Sequence, residues 1–202
     1  MFRRRDADVY CQPQGNWFRD QTRTVSTLIE KFQRKYNSSD AGAQKVLQMK
    51  KKLMVSFVSN CGVSVRRRMS DLLKESVIGD RFDRYGSCFK EKKPLEVIRE
   101  YKFYLAMENS YHCRDYVTEK VYRNAFEMES VPVVWGARKS DYPIPPKSAI
   151  FVEDFNSVAE LARYLDYLDK NDAAYLEYFN WRNLDFMEEP TYKQAFQHCK
   201  LC

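Results

Sequence analysis

An α/β fold built on a parallel sheet is what this sequence predicts, on three observations. Apolar runs of strand length occur at Lys52–Ser59, Lys102–Met107 and Val131–Trp135, each reading as a buried strand. Helix-period segments follow the first two, so the order is strand, helix, strand, helix. No pair of long alternating runs is joined by a hairpin turn, which removes the antiparallel alternative.

Taken in order, residues 1–24 show little periodicity, and Pro13, Gly15 and Asn16 mark a turn or linker. Residues 25–36 predict a short helix with Val25, Leu28, Ile29 and Phe32 on one face, and 37–45 read as a loop. After the strand at Lys52–Ser59, Asn60-Cys61-Gly62 turns the chain. Residues 64–76 then form a helix with Val65, Met69, Leu72 and Leu73 inward and Arg66, Arg67 and Arg68 near its first turn. Three cations at a helix start oppose its dipole, so a bound anion or a nearby acid would account for them. A further short strand within 77–85 closes at Gly86. The strand at Lys102–Met107 leads through a polar loop to a helix at Thr118–Met128 and the strand Val131–Trp135. Tyr142 to Pro146 is a stiff extended loop, and Ala149–Val152 a short strand. Ser157 and Glu160 form a capping box for a helix with Val158, Leu161, Ala162, Leu165 and Leu168 as its apolar stripe. An aromatic short helix follows at 172–181.

Composition narrows the function. The 202 residues carry 34 basic and 28 acidic side chains, a formal charge of +6, which favours an anionic partner without choosing among them. Part of the excess sits in Arg3–Arg5, Lys50–Lys52 and Arg66–Arg68. No apolar run reaches the roughly 18 residues a membrane span needs, and no apolar segment of a signal peptide follows Met1. A nucleic-acid partner would need a continuous basic face with stacking aromatics, and no motif supplies one. Glycine-rich dinucleotide and P-loop signatures, a zinc-protease helix, a nucleophile elbow and a kinase catalytic loop are all missing from the sequence. The six cysteines, at 11, 61, 88, 113, 199 and 202, allow fifteen full pairings. Cys199 and Cys202 form a CxxC readable as a redox pair, half a zinc site or a structural disulfide. With two histidines in the chain, His112 and His198, no closed metal site is expected. Asn37-Ser38-Ser39 is a glycosylation sequon.

The candidate site lies where the Lys102–Met107 strand ends and the next helix begins. In an open α/β sheet, ligands bind at the carboxyl ends of the strands. Glu108 and Asn109 are polar residues at the end of a buried strand and need partners. Arg114, the hydroxyls of Tyr116 and Thr118, Lys120 and a helix start gather anion-binding groups nearby. Glu119 and Lys120 diverge by about 100° on a helix, so one can accept from sugar hydroxyls while the other neutralises a phosphate. A solvated first helical turn is the alternative reading. Asp115 and Glu119 read as a cap and a surface or ribose contact, and Cys113 beside His112 as a structural cysteine.

The stretch YKFYLAMENSYHCRDYVTEKVYRNAFEMESVPVVWG, residues 101–136, closely resembles the donor-binding signature of the α-1,3/1,4-fucosyltransferases, glycosyltransferase family 10. The likeness continues through RKSDYPIPPKSAIFVEDFNSVAELARYLDYLDKNDAAYLEYFNWR, and VSFVSNCGVSVRRRMSDLL and DRYGSC resemble the start of the same domain. FRRRDADVY resembles the segment leading into it, and the terminal CKLC the family's late cysteine pair.

The resemblance implies an inverting transfer of L-fucose from GDP-β-L-fucose to the GlcNAc of a glycoprotein or glycolipid glycan. It implies a Rossmann-like parallel sheet flanked by helices, the C-terminal domain of a GT-B enzyme. Residues 1–50 would be a remnant of the acceptor domain and linker, 51–185 the GDP-fucose-binding domain, and 186–202 a tail with the CxxC. Asn109, Tyr116, Glu119 and Lys120 would contact the donor, and one of Arg66–Arg68, foremost Arg67, the diphosphate. Glu119 and Lys120 would carry the catalytic work, Lys120 steadying the leaving diphosphate. No cofactor or metal would be required, a divalent cation being at most stimulatory. Family members are membrane-anchored in the Golgi with a lumenal catalytic region. They are longer than this chain, so the acceptor domain, its general base and the anchor would be missing here. An inactive GDP-fucose-binding module is therefore the alternative. One disulfide among Cys61, Cys88 and Cys113 would fit their places near strand ends, while Cys199 and Cys202 would pair with each other or stay free and Cys11 is an extra.

Overall fold

The computed structural model describes residues 17–36, 39–109, 117–142 and 144–182. Five strands form one sheet, parallel at every pairing: β1 Lys52–Phe57, β2 Phe82–Tyr85, β3 Tyr101–Met107, β4 Val131–Trp135 and β5 Ile150–Phe151. The order across the sheet is β2-β1-β3-β4-β5. All seven residues of β3 are buried, which is why its sequence runs apolar without alternation. The exception, Lys102, is 8% exposed; its ammonium donates to the Asp169 carbonyl at 2.8 Å and to Asp172 at 3.1 Å.

Helices cover both faces. Helix α1, Trp17–Tyr36, and α2, Ser39–Met49, precede β1, and α3, Ser64–Lys74, follows it. A π-helix, Lys120–Phe126, joins β3 to β4, and α4, Val158–Lys170, and α5, Asp172–Leu176, follow β5 and lead into a 3-10 segment, Glu177–Arg182, the last among the described residues. One face of the sheet buries Leu28 and Ile29 of α1 with Val121, Ala125 and Phe126 of the π-helix. The other buries Val46 of α2 with Leu161 and Leu165 of α4 and Tyr175 of α5.

Three local expectations change. Helix α1 starts well before residue 25; the added residues 17–24 contain no glycine or proline to stop propagation. Leu28, Ile29 and Phe32 are buried as expected, while the Val25 side chain lies outside the described residues. The segment expected as a loop is helical from Ser39, because Gly42 lets two helices touch. A Cβ there would stand 2.6 Å from Cε1 of Phe32. In α3 the buried face is Arg66, Ser70 and Leu73, whereas Val65, expected inward, is 51% exposed. The hydroxyl of Ser157 caps α4 as expected, accepting from the Glu160 amide at 3.1 Å. Glu160 reaches one residue further back than a capping box does, accepting from the Asn156 amide at 3.0 Å.

The last described turn fastens to the first helix. The guanidinium of Arg182 lies between aromatic rings, 4.6 Å from the Phe32 centroid and 4.4 Å from that of Trp181, and donates to the Phe126 carbonyl at 2.8 Å. Its backbone carbonyl accepts from Gln33 at 3.2 Å. Burial lowers its pKa to about 10.

Candidate donor site at the sheet switch point

In the order β2-β1-β3-β4-β5, successive connections leave the β1/β3 boundary in opposite directions, so a crevice opens at the carboxyl ends of those two strands. The residues that follow them define the site.

After β3 comes Glu108, fully buried and therefore costly unless its charge is answered. Both of its oxygens are occupied. Oε1 accepts from the Thr118 amide and hydroxyl, each at 2.8 Å. Oε2 lies 2.7 Å from the same hydroxyl and accepts from Lys120 Nζ at 3.0 Å. Lys120 also donates to Thr118 Oγ1 at 2.8 Å, which closes a ring of three side chains. The backbone makes room for this: Glu108 N–H donates to the Trp135 carbonyl at 2.9 Å. Opposite stands Gly136, at φ +150°, where a Cβ would come within 2.6 Å of Glu108 Cβ.

The helix that presents Lys120 is wider than the α-helix expected at Thr118–Met128. Glu127 N–H donates to the Tyr122 carbonyl and Ser130 N–H to the Ala125 carbonyl, each five residues back. π-Helical segments are rare and frequently occur at functional sites. Beneath it, Asn124 donates to the Tyr104 hydroxyl at 3.1 Å, a phenol whose pKa burial raises.

Across the crevice, Arg66 is 4% exposed. Its Nη1 donates to Asn109 Oδ1 at 2.5 Å and its Nη2 to the Asn60 carbonyl in the loop after β1. A disulfide between Cys61 and Cys88 ties that loop to the end of β2. Two cations, Arg66 and Lys120, are thus held by the consecutive residues Asn109 and Glu108. Such a pair at a strand end is suited to a doubly charged anion.

The sequence-predicted residues divide into four groups. Asn109 and Lys120 come together with Arg66 and Glu108. Glu119 stands at the rim, its side chain 52% exposed and its carboxylate 3.7 Å from Lys120 Nζ. Arg67 and Arg68 point to solvent on α3. Arg114 and Tyr116 lie outside the described residues, as do Asn37, His112, Cys113, Cys11, Cys199 and Cys202. What the sequence does not reveal is that Lys120 answers Glu108, and that of the three consecutive arginines the buried one is Arg66; position 66 sits on the same helical face as Ser70 and Leu73. Among the described residues, no cluster of three or more metal-ligating side chains occurs.

A larger cavity, about 850 Å³, opens at the opposite end of the sheet, by the amino ends of β1, β2 and β3, between Lys50, Lys52, Arg81 and Lys102. Most of its charges answer one another: Arg81 pairs with Asp166 and Asp169, Lys52 with Asp83, and Lys102 with Asp172. Volume favours that cavity; strand-end position and the held cation pair favour the switch point, and the chemistry decides.

The model of the family described as "Glycosyltransferase family 10 (fucosyltransferase) C-term" matches residues 47–202. The chain belongs to glycosyltransferase family 10. Within this family, the chain is 42% identical to the Homo sapiens 4-galactosyl-N-acetylglucosaminide 3-alpha-L-fucosyltransferase FUT6 over 159 residues, 77% of this chain and 44% of the relative. It is 36% identical to the Bos taurus 3-galactosyl-N-acetylglucosaminide 4-alpha-L-fucosyltransferase FUT3 over 206 residues, 100% of this chain and 51% of the relative. The chain spans about half the length of these curated relatives. The fold is shared with an α1,3-fucosyltransferase crystallised with GDP-fucose, at a TM-score of 0.58 and 23% identity over 83% of this chain and 53% of that one. The same enzyme fold crystallised with GDP gives 0.59.

Proposed function

We propose that this chain is the donor-binding half of an inverting α-1,3-fucosyltransferase. The donor is GDP-β-L-fucose and the acceptor a GlcNAc of a glycoprotein or glycolipid glycan. The observation that carries the reading is the cation pair Arg66 and Lys120, held by adjacent residues at the β1/β3 switch point. A nucleoside diphosphate presents two adjoining anionic groups, and each cation can serve one. The reading extends the diphosphate contact expected of Arg67 to its neighbour Arg66, which faces the crevice.

In this reading, displacement at the fucose anomeric carbon breaks its bond to the β-phosphate oxygen, and negative charge builds on GDP. Lys120 and Arg66 neutralise that charge as it forms, in a site where burial strengthens the interaction. Glu119, at the rim, accepts from sugar hydroxyls, and Asn109 and Tyr116 complete the donor contacts. The positive charge comes from side chains, with a divalent cation at most stimulatory. The acceptor hydroxyl must lose a proton as it attacks, and the base belongs to an acceptor domain joined through residues 1–50. Residues 51–185 form the donor domain and 186–202 its tail. The working location is the lumenal face of the Golgi membrane; no helix among the described residues is long and apolar enough to cross a membrane.

Titration calorimetry with GDP and GDP-fucose tests the reading. Binding by the wild-type chain that is strongly weakened in Lys120→Ala and weakened for GDP-fucose in Glu119→Gln supports it. A folded chain that binds neither ligand overturns donor binding by this half alone. Binding without turnover on a galactosyl-GlcNAc acceptor would reduce the activity to that of a binding module.

A further inference from the structure

We infer that Glu108 is a positioning residue for Lys120: a buried carboxylate whose work is to hold the lysine ammonium at the anion site. The inference rests on the donor-binding reading above. A lysine ammonium has three N–H donors. Two are engaged, one with Glu108 Oε2 at 3.0 Å and one with Thr118 Oγ1 at 2.8 Å. Glu119, at 3.7 Å, is beyond hydrogen-bond reach, so among the described residues one N–H is left for a ligand oxygen. Lys120 need not leave Glu108 to serve a phosphate, and four freely rotating side-chain bonds are fixed before the ligand arrives.

Three further observations show that the carboxylate is itself fixed. Thr118 engages both of its oxygens. Its side chain is 1% exposed, against 12% for Lys120, so the buried partner positions the more accessible one. A side chain at position 136 would collide with it. The opposite effect of Glu108 is also conceivable on electrostatic grounds. A carboxylate beside Lys120 cancels part of its charge, and if cancellation dominated, removing the carboxylate would tighten anion binding. Positioning and cancellation therefore predict opposite signs.

The test is a double-mutant cycle on GDP affinity with Glu108→Gln and Lys120→Ala in the full chain. Positioning predicts that Glu108→Gln weakens GDP about tenfold and that the same change costs less than about twofold when Lys120 is already alanine. Tighter GDP binding by Glu108→Gln, or an equal loss in both backgrounds, overturns the proposal; the latter would mean general damage to the loop. Thr118→Val is the second variant, removing the hydroxyl while nearly keeping shape, and it should weaken GDP in the same Lys120-dependent way. If the wild-type chain binds no GDP, the donor reading fails by itself and positioning is read without ligand. Amide hydrogen exchange at Thr118, whose N–H is held by Glu108 at 2.8 Å, should quicken at least about tenfold in Glu108→Gln. Unchanged exchange there sinks the idea.

Discussion

Removing the Cys61–Cys88 disulfide should cost this domain a large share of its stability, and the size follows from the chain it closes. The two cysteines are 27 residues apart. Cross-linking a loop of that length removes enough entropy from the unfolded chain to stabilise the fold by about 3.5 kcal/mol at 25 °C. For a domain near 200 residues this corresponds to a fall in Tm of about 10 °C. The loop contains α3 and β2, so the bridge also fixes the turn from which the Asn60 carbonyl accepts Arg66. Cys61→Ser/Cys88→Ser is the clean perturbation because it leaves the other four cysteines in place, and differential scanning calorimetry in the absence of reductant is the assay. The variant should melt about 10 °C lower and bind GDP more weakly. A variant melting within about 2 °C of its parent would refute the loop-entropy argument for this bridge.

Other substitutions carry their own signatures. Gly136→Ala should destabilise by about 2–4 kcal/mol, since it combines a backbone favourable only to glycine with a 2.6 Å collision against Glu108; urea denaturation measures it. Ser157→Ala should cost about 1 kcal/mol by removing the cap of α4, with GDP binding unchanged. Burial lowers the Lys50 pKa to about 7 from 10.5. Below pH 7 the ammonium is charged in both folded and unfolded chains and its burial cost is fully present; between pH 7 and 10.5 the unfolded chain holds the extra proton, so stability rises with pH. Lys50→Met should therefore stabilise the protein at pH 6, by roughly 1–2 kcal/mol given the side chain's partial contact with solvent. The gain should fade by pH 10, and a gain independent of pH would show that the charge is not its source.

Much of the sheet was legible because a buried parallel strand leaves a plain mark, an apolar run of strand length bounded by turn residues. Val131–Trp135 was placed to the residue, and β1 and β3 to within one or two. Helix α2 was not legible: Gly42 weakens a helix taken alone, and only contact with Phe32 and Tyr36 explains it. The face of α3 that apolarity marks lies one position from the buried one, because Arg66 is buried through hydrogen bonds to Asn60 in the preceding loop and to Asn109 at the end of β3, 43 residues away. The same limit applies to Lys120. Its neighbour Glu119 is the obvious partner in one dimension, but Glu108, twelve residues away and at a strand end, reaches it through the fold. The π-helical hydrogen bonding of 120–126 has no signature in residue type that separates it from an α-helix.

The clasp at Arg182 bears on how the domain is made. A ribosome releases α1 before the sheet and the 3-10 segment Glu177–Arg182 after it, yet Arg182 packs on Phe32 and takes a hydrogen bond from Gln33. Part of the apolar face of α1 therefore waits uncovered until all five strands have emerged. Contacts that span the chain in this way slow folding and lengthen exposure to aggregation. A shorter chain beginning at residue 47, where the family match begins, would keep all five strands but leave the Arg182 guanidinium without the Phe32 ring. It should emerge from synthesis ready to fold sooner, and fold to something less stable.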